Sequence, residues 1–495
     1  MPRAASLGFF AEGFVAKTCS TPGTAAFWLR ALGANSGARR HDALHPGLLG
    51  ELARAPGFGY RWAPVAFGID FGTSNSVVAL ADGDGPPRFA SFELLGRSTA
   101  SFRSLLFFDL DEQRPAEPVV FSAGPAGIEA YLDALGEGRL IQSFKTHLTT
   151  ASLGRTALGP HALDLDELLA LFLGRLREGA SAALGAPIER AVLGRPVRFA
   201  GSRDDQACAR AEARLRRAAL AAGLGEVELE LEPIAAAYHY EAGLERDELA
   251  MIADFGAGTT DFCVMRIGPT HRGRRERSDD VLVTGGVGVA GDNLDAALIE
   301  HVVAPALGKG SYYREFGKRL PIPPGYYYKL SRWHQLSFLR GSRTRHELER
   351  LAQHAESPAA LEALMMIIED NQGFHLHEAV EATKIALSRE PRAAFDYVHE
   401  DFEVHAQVER ADFEAWIADE VAEIAACLDQ TLARAGLEPA AIDRVFMTGG
   451  TAFVPAVRRE FEARFGSGKL SSGDELSSIA AGLAGRARSW DAAAG

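Results

Sequence analysis

Short apolar runs alternate with small polar turns at several places along the chain. In residues 65–78 (VAFGIDFGTSNSVV), an apolar run ends in an aspartate, a Gly-Thr-Ser-Asn turn follows, and a second apolar run closes the pattern. This pattern is typical of a β-hairpin, so we expect Asp70 at a strand end and residues 72–75 at the tip. Glycine N–H groups and the hydroxyls of Thr73 and Ser74 suit a phosphate, and a carboxylate suits hydrated Mg²⁺.

A second copy of the pattern occurs in residues 251–264 (MIADFGAGTTDFCV). It again has an apolar strand that ends in Asp254, a tip of glycine and threonine, and then Asp261 at the start of another apolar strand. Two similar hairpins about 180 residues apart indicate a duplicated architecture. A third turn, in residues 445–451 (VFMTGGT), precedes a helix that we expect to begin near Pro455, and a helix N-terminus favours an anion.

The rest of the chain alternates between helix-like and strand-like patterns, which favours a mixed α/β sheet with helices on both faces. The segments with helical spacing of apolar residues are 139–148, 163–184, 203–223, 234–243, 293–303, 346–354, 359–370, 378–388, 412–435 and 476–486. The strand-like segments are several short runs within 86–108 and the runs 190–194, 227–231 and 280–283.

Some charged residues lie close to these apolar patterns. Lys145 is expected beside the apolar stripe of helix 139–148, although a solvated lysine fits the same pattern. Glu232 follows a strand, where open α/β sheets bind ligands, and a first-turn helix carboxylate explains it equally well. Glu381, Lys384 and Ser388 share one side of a helix, where a plain salt bridge between neighbouring turns is the alternative.

Composition places the chain among ordinary globular proteins. It has 495 residues, of which 47% are hydrophobic and 24% are charged, and its net charge is −14. The negative charge argues against binding nucleic acid through the whole surface. Its four cysteines include no CxxC pair, so neither a zinc site nor a disulfide framework is indicated.

The first 64 residues are rich in alanine, glycine and arginine and lack the features of a signal peptide. We expect them to form a poorly ordered extension, or to be upstream sequence included by a wrong start codon. No apolar run reaches the length of a membrane-spanning helix, so we predict a cytoplasmic protein without a membrane partner.

Two further motifs lack the surroundings that a binding site of their kind requires. Gly286, Gly288 and Gly291 match GxGxxG, but the helix after them leads into an irregular stretch instead of a strand that ends in an acid, which argues against a dinucleotide site. The pair His375 and His377 lacks the HExxH spacing of a zinc site. Residues 305–375 have the composition of an insert, which either contacts a partner or packs onto its own domain.

Taken together, six segments occur in the order found in the actin-like ATPases. These segments are FGIDFGTSNS, IADFGAGTTD, VAGDNLD, EATKIALS, FMTGGTAFVP and GDELSSIAAG. The chain resembles the nucleotide-binding domain of the DnaK type of heat-shock chaperone, and most closely the short YegD-like branch, over roughly residues 65–488. The resemblance implies two lobes of duplicated α/β topology, of the actin-like and ribonuclease H-like kind, with ATP or ADP, Mg²⁺ and a possible K⁺ in the cleft between them.

The same resemblance implies the domain boundaries and the roles of residues. The first lobe is expected at 65–247, the second at 248–473 with the insert 305–375, and a returning C-terminal helix at 474–495. Lys145 would stabilise charge on the transferring phosphoryl group, Glu232 would orient water or metal, and Pro196 would couple nucleotide state to the rest of the molecule. The implied metal-binding and catalytic residues are Asp70, Asp254, Asp261, Lys145, Glu232 and Thr259, with Thr259 near the attacking water. The implied nucleotide-binding residues are Gly72, Thr73, Ser74, Asn75, Gly256, Gly258, Thr259, Gly291, Glu381, Lys384, Ser388, Gly449, Gly450, Thr451 and Asp474.

The sequence also departs from the family pattern. Ile385 stands where these chaperones usually have an arginine that stacks on adenine, and Ala290 replaces one glycine of a phosphate-facing Gly-Gly pair. The chain also ends where the linker and peptide-binding domain should begin, so we expect a chaperone-like protein that lacks that domain.

These observations favour a slow, Mg²⁺-dependent ATPase whose lobe closure regulates an unknown protein partner. A scaffold that binds nucleotide without hydrolysing it is one alternative. A small-molecule kinase of the same superfold is another, although we find no catalytic aspartate base in the loops of the first lobe. Nuclease activity from Asp70, Glu232 and Asp254 is disfavoured by the net charge.

Overall fold

The computed structural model describes residues 66–82, 85–134, 138–150, 154–202, 204–274, 276–332, 339–370, 372–472 and 477–488, which belong to one compact unit. The predictions for residues 1–64 and for Asp474 lie outside the described residues. We use "first lobe" for residues 65–247 and "second lobe" for residues 248–473.

The described strands are β1 (Ala66–Phe71), β2 (Asn75–Ala81), β3 (Arg88–Phe89), β4 (Phe92–Leu94), β5 (Arg97–Thr99), β6 (Phe102–Arg103), β7 (Leu105–Phe108), β8 (Ser122–Ala123), β9 (Arg139–Gln142), β10 (Thr156–Leu158), β11 (His161–Leu163), β12 (Arg190–Arg195), β13 (Glu226–Leu231), β14 (Glu248–Phe255), β15 (Thr260–Ile267), β16 (Val281–Val287), β17 (Tyr312–Glu315), β18 (Lys318–Pro321), β19 (Arg392–His399), β20 (Phe402–Glu409), β21 (Arg444–Thr448) and β22 (Leu470–Ser472).

The described α-helices are α1 (Gly124–Asp133), α2 (Leu165–Leu184), α3 (Asp205–Ala221), α4 (Glu232–Glu241), α5 (Gly291–Leu298), α6 (Gly325–Leu330), α7 (Ser342–His354), α8 (Pro358–Glu369), α9 (Gly373–Arg389), α10 (Arg410–Trp416), α11 (Ala418–Arg434), α12 (Pro455–Phe465) and α13 (Ser478–Arg488). Local sequence sets their ends, as α2 shows. Asp164 accepts a hydrogen bond from the N–H of Glu167, the side chain of Glu167 accepts one from the N–H of Asp164, and Gly185 ends the helix with a positive φ of 71°.

Each lobe contains one large sheet built around a hairpin. The first sheet has six strands in the order β13-β12-β1-β2-β3, with β6 also paired to β2. The second has five strands in the order β16-β15-β14-β21-β22. In both, the first hairpin strand pairs antiparallel with the second and parallel with a later strand, β12 in one sheet and β21 in the other. This mixed α/β architecture agrees with the predicted duplication.

Two core clusters follow the two lobes, and a third, around α4 and α13, contains buried side chains from both large sheets. Buried residues of β1, β7 and α2 fill the first. The second contains side chains from β14, β15, α9 and α11, and also Tyr327, Leu348 and Leu364 of the predicted insert. The described part of the insert therefore packs onto its own lobe.

Helix α13 lies against the first-lobe sheet and against α4. A β-carbon at Gly482 would lie 1.7 Å from the carbonyl oxygen of Ala235, so the two helices approach more closely than any other residue allows.

Several sequence predictions were wrong. Residues 139–148 form the strand β9 and a 3₁₀ turn (Phe144–His147) instead of one helix, because β9 pairs with β7. Residues 412–435 form α10 and α11, which meet at Ile417, instead of one helix. The strand predicted for 280–283 continues to Val287, so Gly286 lies inside a strand.

Candidate functional site: a cleft between two hairpin turns

The turns of the two hairpins both line one cavity, which has a volume of about 590 Å³. A β-carbon at Gly258, in the second turn, would lie 3.6 Å from Thr73 Oγ1 in the first. Most of the predicted site residues line this cavity. They are Asp70, Gly72, Thr73, Ser74, Asn75, Lys145, Glu232, Asp254, Gly256, Gly258, Thr259, Gly291, Glu381, Lys384, Ser388, Gly449, Gly450 and Thr451.

Lys145 and Glu232 form a buried ion pair in the floor of the cavity, with Nζ 2.5 Å from Oε1. The 3₁₀ turn that carries Lys145 follows Ser143, which has a positive φ of 56°, and Phe144 anchors it in the first-lobe core. Burial lowers the pKa of Lys145, but Glu232 and Asp70 outweigh burial and raise it above its usual value. Lys145 therefore remains a cation.

Three aspartates at the ends of the hairpin strands face this lysine. Burial, and then the nearby Glu232, raises the pKa of Asp70 to about 7, and the same causes raise the pKa of Asp261 to about 7. Burial raises the pKa of Asp254 well above its usual range, with Glu232 and Asp261 adding to the effect. Burial, with the neighbouring acids adding to it, thus disfavours the ionised form of all three carboxylates more than Lys145 favours it.

Asp261 was expected near the metal and lies just behind the cavity wall. It is opposite Asp254 in the β14–β15 register. Its Oδ1 accepts a hydrogen bond of 3.0 Å from the N–H of Val197, and a hydrogen bond from the Thr259 side chain opposes the effect of burial on its pKa. A β-carbon at Gly286 would lie 2.5 Å from Oδ1, so this glycine of the GxGxxG motif makes room for a carboxylate.

These residues fit a hydrated divalent cation. Mg²⁺ prefers carboxylate and water oxygens, and Asp70, Asp254 and Asp261 supply carboxylates that lack sufficient positive charge nearby. The glycine-rich turns on either side leave space for phosphates.

The far end of the cavity carries polar groups suited to a sugar. Lys384 Nζ lies 2.7 Å from Asp295 Oδ1, and Glu381 Oε2 lies 3.6 Å from Arg103 Nη2 of the first lobe. Ser388 donates a hydrogen bond of 3.0 Å to the Lys384 carbonyl, as expected for residues one turn apart. Asp295 and Arg103 were missed by sequence reasoning, because only the fold brings them here.

Near Ser388 the cavity wall becomes apolar. Ile385 and Phe453 both line the cavity, and each leaves 47% of its surface exposed. Phe453 follows the predicted glycine turn, where Gly449 has a positive φ of 86° and a β-carbon would lie 2.0 Å from the Phe255 carbonyl. Sequence reasoning found Ile385 and missed Phe453, although both are large exposed apolar residues beside predicted site residues.

Matching sheets, facing hairpin turns and a cleft rich in carboxylates define a two-lobed nucleotide-binding protein of the actin-like ATPase fold. The model of the family described as Hsp70 protein matches residues 145–310 and 359–488, which is more than half of the chain. The chain therefore belongs to the Hsp70 family, whose members bind ATP or ADP with Mg²⁺, and this confirms the predicted DnaK-type relationship.

Individual relatives agree with the family match. The chain is 27% identical over 432 residues to Chaperone protein DnaK of Elusimicrobium minutum, covering 84% of this chain and 56% of that protein. It is 26% identical over 305 residues to Ribosome-associated complex subunit SSZ1 of Saccharomyces cerevisiae, covering 61% of this chain and 44% of that protein. The chain thus spans about half the length of the curated relatives it matches. None of the described helices has the length and hydropathy needed to cross a membrane.

Proposed function

We propose that this Hsp70-family protein is a slow, Mg²⁺-dependent ATPase that uses lobe closure to regulate a protein partner in the cytoplasm. The observation that carries the proposal is that the buried Lys145, Glu232 and Asp254 converge with Asp70 on one cavity, between two glycine-rich turns. The turn residues 72–75 and Gly256, Gly258 and Thr259 would hold the phosphates from opposite sides.

In this proposal the chain's own residues act by position and charge. Lys145 stabilises negative charge on the transferring phosphoryl group, because it remains protonated and already lies inside the cleft. Glu232 fixes the lysine and orients the attacking water, and Thr259 lies beside that water. Asp70, Asp254 and Asp261 would hold Mg²⁺, which would supply further positive charge to the phosphates.

The adenosine end belongs to the second lobe. Glu381 and Lys384 would bind the ribose, while Ser388 and the turn Gly449–Gly450–Thr451 would border the base. Gly291 lies next to this turn, since a β-carbon there would be 3.3 Å from Thr451 Oγ1. Ile385 and Phe453 would offer the base an apolar surface and an aromatic face in place of a charged contact.

Two contacts across the cleft support a role for lobe closure. Phe374, in the first turn of the second-lobe helix α9, is 4% exposed and packs among Leu105, Phe107, Ile128 and Tyr131 of the first lobe. The ion pair Arg103–Glu381 joins the same two lobes nearer the nucleotide. Opening the cleft must break both contacts, so nucleotide exchange and lobe movement are linked.

Single-turnover hydrolysis of ATP with Mg²⁺ tests the proposal. We expect the wild type to release phosphate, and Lys145→Ala and Asp254→Ala to be slowed at least about 100-fold, the usual scale for removing a transition-state charge. Lys309→Ala removes a surface lysine that pairs with Glu300 and should match the wild type. ATP binding by the wild type without any turnover would overturn hydrolysis and favour a nucleotide-gated scaffold. ADP release that depends on an added small-molecule acceptor would favour a kinase.

A further inference from the structure

Ser104 lies behind the first hairpin turn, between β6 and β7, and is only 2% exposed. It does not line the cavity, whereas the turn residues 72–75 in front of it do. Any effect of Ser104 on a bound phosphate must therefore pass through the turn.

Ser104 holds the turn by both its side chain and its backbone. Its hydroxyl donates a hydrogen bond of 2.8 Å to the carbonyl of Gly72, and its N–H donates one of 2.9 Å to the carbonyl of Ser74. Its own carbonyl accepts a hydrogen bond of 3.3 Å from the N–H of Ser143, two residues before Lys145. One residue thus joins the phosphate turn to the segment that carries the lysine.

A second buried serine completes the hydrogen-bond chain. Ser76 is fully buried, and its Oγ lies 3.0 Å from Ser104 Oγ. A serine hydroxyl has one proton, and that of Ser104 is donated to Gly72, so Ser76 must be the donor to Ser104. Ser76 supports Ser104 and does not itself reach the Gly72 carbonyl.

The second hairpin turn is held in the corresponding way, but by backbone alone. The N–H of Gly291 donates to the carbonyl of Gly256 at 3.3 Å, and the N–H of Asp292 donates to the carbonyl of Ala257 at 2.8 Å. In both turns, carbonyls that would repel a phosphate are engaged by other parts of the protein. Among the described residues, a side chain donates to one of these turn carbonyls only in the first turn, where Ser104 donates to Gly72, so a substitution there can remove the hydrogen bond.

The first turn is also sensitive to small movements. A β-carbon at Gly72 would lie 2.1 Å from the carbonyl oxygen of Asn75, so the peptide groups of the turn are packed tightly against one another. If the Gly72 carbonyl lost its donor, the peptide could rotate to find another one. Such a rotation would replace an N–H group at the cavity with a carbonyl oxygen.

We propose that Ser104 is a positioning residue that keeps the turn 72–75 in its phosphate-binding conformation and in fixed relation to the Lys145 segment. The proposal rests on the proposed function insofar as the cleft binds a nucleotide. It does not require hydrolysis.

The test compares the affinities of Ser104→Ala, Ser104→Thr and Ser76→Ala for Mg²⁺-ATP and for adenosine by calorimetry, with Tm measured for each variant. We expect Ser104→Ala to weaken ATP binding about five- to tenfold, the effect of one lost hydrogen bond, and to leave adenosine binding within about twofold. Ser104→Thr, which keeps the hydroxyl, and Ser76→Ala, which removes only the supporting one, should keep the wild-type ratio of the two affinities.

Two results would overturn the role of Ser104. The first is that Ser104→Ala loses ATP and adenosine affinity equally, or loses neither. The second is that Ser76→Ala shows the same selective loss of ATP affinity, which would assign the effect to packing around the two serines and not to the hydrogen bond with Gly72. The readout is independent of turnover. If the wild type binds ATP but does not hydrolyse it, the proposed ATPase activity fails while the affinity ratio still decides the role of Ser104.

Discussion

The two hairpins have the same strand pairing and very different charge. Asp70 of the first lies opposite Val77, whereas Asp254 of the second lies opposite Asp261. Two carboxylates directly across a strand pair repel each other unless a cation lies between or beside them. The first lobe instead contributes Lys145, a fixed cation paired with Glu232. The duplicated fold therefore carries different charges at its two hairpins, with a facing pair of carboxylates in the second lobe and the buried lysine in the first.

The largest expected effect comes from breaking the carboxylate pair of the second hairpin. Asp261→Asn should lower the Mg²⁺-dependent hydrolysis rate about 100-fold, because it removes one of the carboxylates that would hold the metal. The same variant should raise Tm in Mg²⁺-free buffer, because it removes a buried acid that has no sufficient counter-charge. Hydrolysis across a Mg²⁺ titration and thermal melts measure the two effects. Asp412→Asn, on α10, is the control, and a fall in apo Tm for Asp261→Asn would contradict the charge imbalance.

A smaller effect is expected from removing the contact that Phe374 makes between the two lobes. Phe374→Ala should speed ADP release about tenfold, since a buried aromatic contact between the lobes is lost and the open state gains population. Stopped-flow release of a fluorescent nucleotide measures this. Phe402→Ala removes a partly buried ring within the second lobe alone. It should lower Tm without changing release, and faster release in both variants would show that general destabilisation is the cause.

A substitution at the end of the cavity proposed for the base should change the affinity for ATP and leave the rate of hydrolysis of bound ATP unchanged. Phe453→Ala should weaken ATP binding about five- to tenfold, the scale of one lost stacking contact, while the hydrolysis rate of bound ATP stays within about twofold. Equilibrium binding and single-turnover rates at saturating ATP separate the two quantities. Phe316→Ala is the control, because that side chain is 94% exposed on the β17–β18 turn. A loss of rate as large as the loss of affinity would show that the adenosine end also aligns the phosphates.

The smallest expected effect concerns pH and the acid that follows Gly291. Burial, and then Asp295, raises the pKa of Asp292 to about 7, compared with 3.8 for an ordinary aspartate. The fold disfavours the ionised form of Asp292. The residue therefore leaves the free energy of unfolding unchanged below about pH 4, lowers it increasingly as pH rises from 4 to 7, and lowers it by the full amount above that. Asp292→Asn should therefore raise the Tm of the nucleotide-free protein by several degrees at pH 8 and by little at pH 4 to 5. A gain that does not depend on pH would point to packing instead of charge.

Elements whose structure is set by the local sequence could be predicted, whereas elements whose structure is set by pairing with a distant segment could not. Both hairpins were predictable, because alternation of apolar residues fixes strands and glycine fixes the turns. The hairpin β19–β20 has the same alternation of apolar residues in the sequence, which its alternating burial reflects, and it could have been predicted from that alternation. The strand β9 could not, because its apolar spacing fits a helix and only pairing with β7 decides the outcome.

The candidate site divides in the same way. Site residues in glycine-rich or acidic motifs could be identified from the sequence pattern. For Lys145 the pattern also fitted a solvated lysine, and only the resemblance to a family identified it as a site residue. Ser104 and Asp295 have no motif of their own, since their importance arises from the backbone or side chain they meet after folding. Phe453 is intermediate, because its place beside the glycine turn was known but its exposure was not.

The two apolar contacts between the lobes are built on different scales. Near α4 and α13, side chains of both large sheets share one buried core, which includes Val192 from the first sheet and Ile252 and Phe446 from the second. At the other contact, the single ring of Phe374 enters the first-lobe cluster that contains Leu105 and Tyr131. Separating the shared core would expose far more apolar surface to water than withdrawing one ring. The contact at Phe374 is therefore the one that opens at the lower free-energy cost.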